Sequence, residues 1–346
     1  SEFIIKNNKF FFKSIDFTEG KSLISINGLI LNKKKKIDKI SNIKVITFNK
    51  DTEKNNFKIN FSNNISIFGE RYDAKNLLKL LSSDNNSNFL KNFTNKIEIN
   101  LKNLSTKSNI PLSNFNLIGS IQKGKFVKIS AKSEFSKDEY LDISLKKDLN
   151  GRTIVEVYSD LPQALLADYK FFEGINGGKL LYNSTISDTS SISKLVIENF
   201  KVSKAPAFAT LLTLADLGGF ADLLSGKGMS FDILEINLQD NLETTTVDEI
   251  LALGSSVSLQ MDGYIEKKTS LISLKGTLVP AKTLNRLVSK IPLVGKILIG
   301  DKVGEGVFGV SFKVKGLPGK TKTTVNPVKT ITPRFILRAL EKRKKK

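Results

Sequence analysis

The sequence contains no histidine and no cysteine. Those absences exclude a Ser-His-Asp or Cys-His nucleophile system, a thiolate zinc site and a redox dithiol. No disulfide supports the fold, yet the lack of cysteine names no compartment, because a chain without cystine suits an oxidising space as well as a reducing one. Arginine is scarce, at Arg71, Arg152, Arg286, Arg334, Arg338 and Arg343 in a background of lysine. Bidentate arginine is the commonest base-reading contact, so this scarcity argues against a sequence-specific nucleic-acid reader. No apolar run reaches the roughly 18 residues of a spanning helix. The nearest, residues 205–224, is interrupted by Asp216, Asp222 and the pair Gly218 and Gly219.

What is present points to a folded chain. Its 346 residues suit about two average domains or one elongated β architecture, and 40% apolar with 25% charged residues excludes a wholly disordered polymer. The formal charge of +20, from 54 Lys+Arg against 34 Asp+Glu, favours an anionic partner such as nucleic acid, an acidic membrane surface or phosphorylated headgroups. A compositional bias toward Lys, Asn and Ile accounts for the same charge without any partner. The chain begins at Ser1 and shows no charged leader followed by an apolar stretch, so it reads as a fragment or a processed chain with any anchor upstream.

Period-two alternation dominates the first two thirds, which predicts antiparallel strands. Ile97, Ile99 and Leu101 share one face, and Leu141, Ile143 and Leu145 alternate with Asp142, Ser144 and Lys146. Further strands are predicted over residues 23–31, 37–48, 57–68, 179–186, 193–202, 229–238, 257–265, 271–278 and 307–315. Helical spacing is confined to residues 74–81 and 162–172, the second capped by Asp160, and to two stretches near the C-terminal end, 206–224 and 284–291, the last broken by Pro292 within a longer amphipathic segment, 284–299. These helices are too few to cover so much apolar strand surface. Either the sheet folds on itself as a sandwich, the reading that pattern alone favours, or its inner face stays open as a groove for an apolar ligand.

Three glycine-rich places fail as phosphate loops. Between Gly174 and Gly178 there is one residue too few for a P-loop, between Gly316 and Gly319 the spacing is shorter still, and Gly226-Lys227-Gly228 precedes a strand instead of a helix. All three read as strand connections. Asp216 and Asp222 have no histidine, metal motif or nucleophile to make them an acid/base pair.

From about residue 155 onward the sequence becomes more specific. Val157, Tyr158, Ser159 and Asp160 lead into a short helix and then Asn176, Gly177, Gly178, Lys179 and Leu180. Val202 to Pro206, then Leu211 to Ala215 and Leu223 to Asp232 follow. Gly276 to Pro280, Lys290 to Leu298, Gly304 to Phe308, Asn326 with Pro327, and Thr332 with Pro333 close the series. In that order these blocks resemble the C-terminal region of the AsmA-like family, nearest to its YhdP-type branch. The resemblance implies a periplasmic, non-enzymatic bridge-like lipid carrier of a Gram-negative envelope. Its parent would be anchored in the inner membrane by a segment N-terminal to this sequence.

The expected fold is therefore mainly β: an elongated antiparallel sheet curled into an open groove, with a few short amphipathic helices near the C-terminal end. Residues 1–150 would be a β-repeat groove segment, 151–332 the AsmA-like region with helices, and 333–346 a basic amphipathic tail able to rest on anionic lipid. The expected function is phospholipid transport across the periplasm to the outer membrane, without cofactor, catalytic residue or metal. An envelope assembly scaffold that binds protein partners and carries no lipid is the alternative. Groove-lining candidates are Val196, Phe200, Phe231, Ile233, Val257, Leu259, Met261, Phe308, Val310 and Phe312. Membrane-contacting candidates are Phe208, Leu212, Phe220, Leu287, Phe335 and Arg338. Expected partners are phospholipid acyl chains, a membrane surface and envelope proteins, not nucleic acid.

Overall fold

Short polar turns between alternating segments build hairpins, and hairpins account for most of the described residues. The computed structural model describes residues 3–75, 94–106, 110–167, 169, 172–203, 209–210, 212–213, 226, 228–280, 309–318 and 320–328. Of these, 73% are in strands and 4% are helical, so the fold is mainly β with few helical residues among those described. Its strands form an open, unclosed sheet of mixed pairing. The chain divides into two units, residues 1–168 and 169–346.

Unit 1 contains β1 (Phe3–Lys6), β2 (Lys9–Glu19), β3 (Ser22–Leu31), β4 (Ile37–Lys39), β5 (Asn42–Asn49), β6 (Thr52–Phe61), β7 (Ile65–Asp73), β8 (Asn95–Ser105), β9 (Leu112–Gln122), β10 (Lys125–Ser136), β11 (Glu139–Lys147) and β12 (Thr153–Ser159), followed by the single-turn helix α1 (Pro162–Leu166). Each strand pairs with its neighbour in sequence, apart from short β4, which lies beside the end of β3 while β5 takes the rest of that strand. Two predicted strands each resolve into two. Residues 37–48 break into β4 and β5, and residues 57–68 fold into the β6–β7 hairpin about Ser62, Asn63 and Asn64.

One pairing departs from the antiparallel expectation: β7 and β8 run parallel. A parallel neighbour needs a long crossover rather than a hairpin, and residues 74–94 supply the length. The helix predicted over 74–81 lies, from residue 76 on, outside the described residues. The helix predicted over 162–172 shortens to α1. Asp160 does not cap it: Leu161 is the N-cap, with no side-chain cap bond. The Asp160 carboxylate instead accepts hydrogen bonds from the Tyr158 hydroxyl at 2.6 Å and the Tyr140 amide at 2.9 Å.

Unit 2 is an antiparallel meander of β13 (Ile175–Asn176), β14 (Lys179–Ile186), β15 (Ser191–Val202), β16 (Met229–Asp240), β17 (Thr244–Gly254), β18 (Val257–Glu266), β19 (Ile272–Pro280), β20 (Gly309–Leu317) and β21 (Lys320–Val328). The segments around Gly177 and Gly316 are turns or strand ends, as their spacing predicts. Residues 209–210 and 212–213 are helical, in line with the period read there. The rest of the segment predicted as helix over 206–224, with Asp216 and Asp222, lies outside the described residues. So do Lys227, the amphipathic segment 284–299 with its predicted helical turns, and the tail 333–346.

Candidate functional site

Because strand side chains alternate, the pairing registers determine which residues share a face. In unit 1 one row runs straight across ten strands: Ile15, Ile26, Ile43, Ile59, Ile67, Ile99, Leu117, Ala131, Ile143 and Val157. Every member is apolar. The parallel β7–β8 pairing preserves the row, since it sets Ile67 beside Ile99. A second row beside it reads Phe17, Ile24, Val45, Phe57, Gly69, Leu101 and Phe115.

The opposite face is of another character. Its matching row is Asp16, Ser25, Lys44, Lys58, Phe68, Asn100, Asn116, Lys132, Asp142 and Tyr158. Ion pairs such as Lys132–Asp142 at 3.2 Å lie on this wet side. Unit 1 is thus dry on one face and wet on the other.

The dry face is not sealed. Ala131 is buried, but the other nine residues of the ten-residue row are only half-buried, and Phe17 beside them is 58% exposed. With adjacent strands about 4.8 Å apart, ten strands make an apolar track about 43 Å long. A continuous apolar track of that length, only partly covered, is a candidate interaction surface.

Unit 2 has an apolar face too, and here it is covered. The row Leu180, Ile197, Leu234, Ala252, Leu259, Leu278 and Val310 is buried throughout. Of the predicted lining residues, Val257, Leu259, Met261, Val310 and Phe312 fall on this face. Phe231 joins them because the β16–β17 register shifts between Phe231 and Ile233, which sets Phe231 opposite Gly254 and in phase with Ala252. Phe200 stacks on Phe231, ring centroids 5.3 Å apart. All seven are at least nine-tenths buried.

Val196 and Ile233 do not belong to that group. Val196 pairs with Glu235, and Ile233 with Glu198 and Leu253, on the opposite face. The irregularity responsible, with Asn199 at φ 53 and the register shift beside Ile233, turns the strands over between these residues and the two phenylalanines. Phe308 lies outside the described residues, as do Phe208, Phe220, Leu287, Phe335 and Arg338. Leu212 is described, and it is helical and fully buried.

The second face of unit 2 carries a partly buried polar network. Glu235, 8% exposed, takes Lys194 at 3.0 Å and the Asn237 amide at 3.1 Å, and Glu249 accepts from Gln260 at 3.0 Å. Each buried carboxylate therefore has a hydrogen-bond donor, as burial of charge requires.

The half-open track of unit 1 has no counterpart among the residues singled out from the sequence. Alternation at Ile97, Ile99 and Leu101 or at Leu141, Ile143 and Leu145 carries the signal, but only the cross-strand registers show that these stripes join. Comparisons with protein-family models, curated proteins and solved structures find no match to this chain. Among the described residues no cluster of acidic side chains could hold a metal ion, and no helix is long and apolar enough to cross a membrane.

Proposed function

We propose that this chain carries phospholipid acyl chains along the apolar face of unit 1, as a non-enzymatic segment of a periplasmic, AsmA-like lipid carrier delivering to the outer membrane. The observation that carries the reading is the ten-residue apolar row from Ile15 to Val157, half-buried and continuous across every strand from β2 to β12 except short β4. An acyl chain needs a continuous dry track and gains about 0.8 kcal/mol for each methylene it removes from water. Its headgroup can remain in water at the rim, and no bond need be made or broken. The blocks resembling the AsmA-like family support the envelope setting.

The test is lipid mass spectrometry on an organic extract of the chain purified from bacterial cells, beside a similarly basic control protein. Phospholipid retained in stoichiometric amount is the expected result. Absence of lipid from material shown to be folded counts against the carrier reading.

One observation favours a second reading. Among the described residues strand β1 pairs only with β2, and its Phe3, Ile4 and Ile5 are 54%, 68% and 61% exposed. An apolar sheet edge of this kind is a template for adding a partner's strand, the expected behaviour of an envelope assembly scaffold. Defined protein partners and a lipid-free extract would favour it.

A further inference from the structure

The polar face of unit 2 contains a hollow of about 950 Å³ where β17, β18, β19 and β20 meet. Two neighbouring cross-strand rows line it. One is Thr246, Tyr264, Ser273 and Lys315; the other is Asp262, Lys275 and Lys313. The hollow forms where β17 shifts register between Val247 and Ile250, a bulge that bends the strand and increases its twist. At its base Gly263 has φ +150, and a Cβ there would collide with the Ser273 carbonyl oxygen. Only glycine lets the two backbones approach so closely.

The charges in this hollow are arranged at a cost. Lys275 stands directly opposite Lys313, and Lys315 stands directly opposite Lys322, which lies just outside the hollow. Like charges in facing positions destabilise a sheet. Lys275 is drawn to Asp262 at 3.3 Å, whereas Lys313 and Lys315 form no ion pair among the described residues. The hollow's two carboxylates, Asp248 and Asp262, leave its three lysines one charge in excess, and Lys322 adds another at the rim. Asp248 is moreover held by the Gln239 amide at 2.9 Å. Ammonium groups beside a row of hydroxyl donors match the chemistry of a phosphate, which accepts several hydrogen bonds and carries one negative charge as a headgroup diester or up to two when free near neutrality.

We propose that this hollow binds a phosphate group through Lys313 and Lys315, with Lys275 and the Tyr264 and Ser273 hydroxyls as further donors. The site lies on the face opposite the buried apolar row of unit 2 and is independent of acyl-chain carriage. Its phosphate comes either free from solution or from the headgroup of an anionic lipid surface.

The experiment compares the full chain with the double variant Lys313→Gln/Lys315→Gln and with a control, Lys128→Gln/Lys132→Gln, which removes the same charge from the polar face of unit 1. Two probes are used: inorganic phosphate, followed by calorimetry and by the shift it causes in the melting temperature, and phosphatidylglycerol vesicles, followed by flotation against phosphatidylcholine vesicles. If the chain binds inorganic phosphate and the hollow variant loses at least about tenfold in affinity while the control does not, the site is a soluble-phosphate site. If only the phosphatidylglycerol vesicles bind, with the same selective loss, the source is a lipid headgroup. Binding to neither probe overturns the proposal. So does an equal loss in both variants, which would assign the effect to net charge. The substituted lysines are exposed, and the unliganded melting temperature verifies that each variant is folded.

Discussion

Phe312 packs against Gly276 directly across the β19–β20 pairing, so closely that a Cβ at Gly276 would come within 2.6 Å of the Phe312 Cζ atom and 2.8 Å of the Met261 Cγ atom. The glycine is the gap that the aromatic ring fills on the covered face of unit 2.

Gly276→Val should therefore destabilise unit 2 by about 1–3 kcal/mol, the usual cost of overpacking a filled core. Chemical denaturation measures it. Phe312→Leu in the same background should recover part of the loss, because it removes the ring atom that the new side chain strikes.

A second expectation concerns alkaline pH. The hydrogen bond from Tyr158 to Asp160, helped by partial burial and the carboxylate's charge, pushes the phenol up to about 12. A raised phenol favours the neutral form in the folded state. Its contribution is fully present below the unfolded value near 10 and is lost as pH rises through about 12. Stability should fall across that window, and Tyr158→Phe should remove that part of the slope in thermal melts recorded from pH 9 to 12.

At acid pH Asp240 plays the converse part. Burial pushes its carboxyl up, but hydrogen bonds from Lys267 at 2.7 Å and from Thr245, with the Lys267 charge, more than offset it and hold it below the ordinary carboxylate value. This contribution is present above the unfolded pKa and lost as pH falls through the lower folded one. Lys267→Gln should therefore lower stability at neutrality, by a small amount because the pair is partly exposed, and the difference from the parent chain should vanish as pH falls through the folded pKa; thermal melts from pH 7 down to pH 2 measure it.

Strand content is legible from alternation alone, and so is the face of Ile97, Ile99 and Leu101, because a half-covered strand writes its two environments into successive residues. What alternation cannot write is the neighbour. Nothing in the sequence around Ile67 and Ile99 announces that these residues stand side by side in parallel strands. Bulges defeat it as well. Val196 and Phe200 are four apart and should share a face, yet the irregularity at Asn199 separates them. Sequence reasoning consequently names lining residues only in unit 2, whose apolar face is covered, and reads residues 1–150 as a groove segment without naming any residue of its track.

The sharpest test of that track uses two adjacent residues. Leu117 belongs to the ten-residue apolar row, half-buried between Ile99 and Ala131, whereas Ile118 points the other way and is 68% exposed. Hydropathy and position in the chain hardly distinguish them, but the face does. A carboxylate at Leu117 would stand on the dry track, where an unpaired charge is strongly disfavoured, while the same group at Ile118 would be solvated among Asn116 and Ser130 on the wet side. Leu117→Asp should lower co-purified phospholipid by about tenfold or more, the equivalent of removing one apolar side chain from the track and placing a charge there. Ile118→Asp should leave lipid content unchanged and, by removing an exposed apolar side chain, should not reduce solubility. Equal lipid content in the two variants, both folded by circular dichroism, would show that acyl chains do not lie along this row.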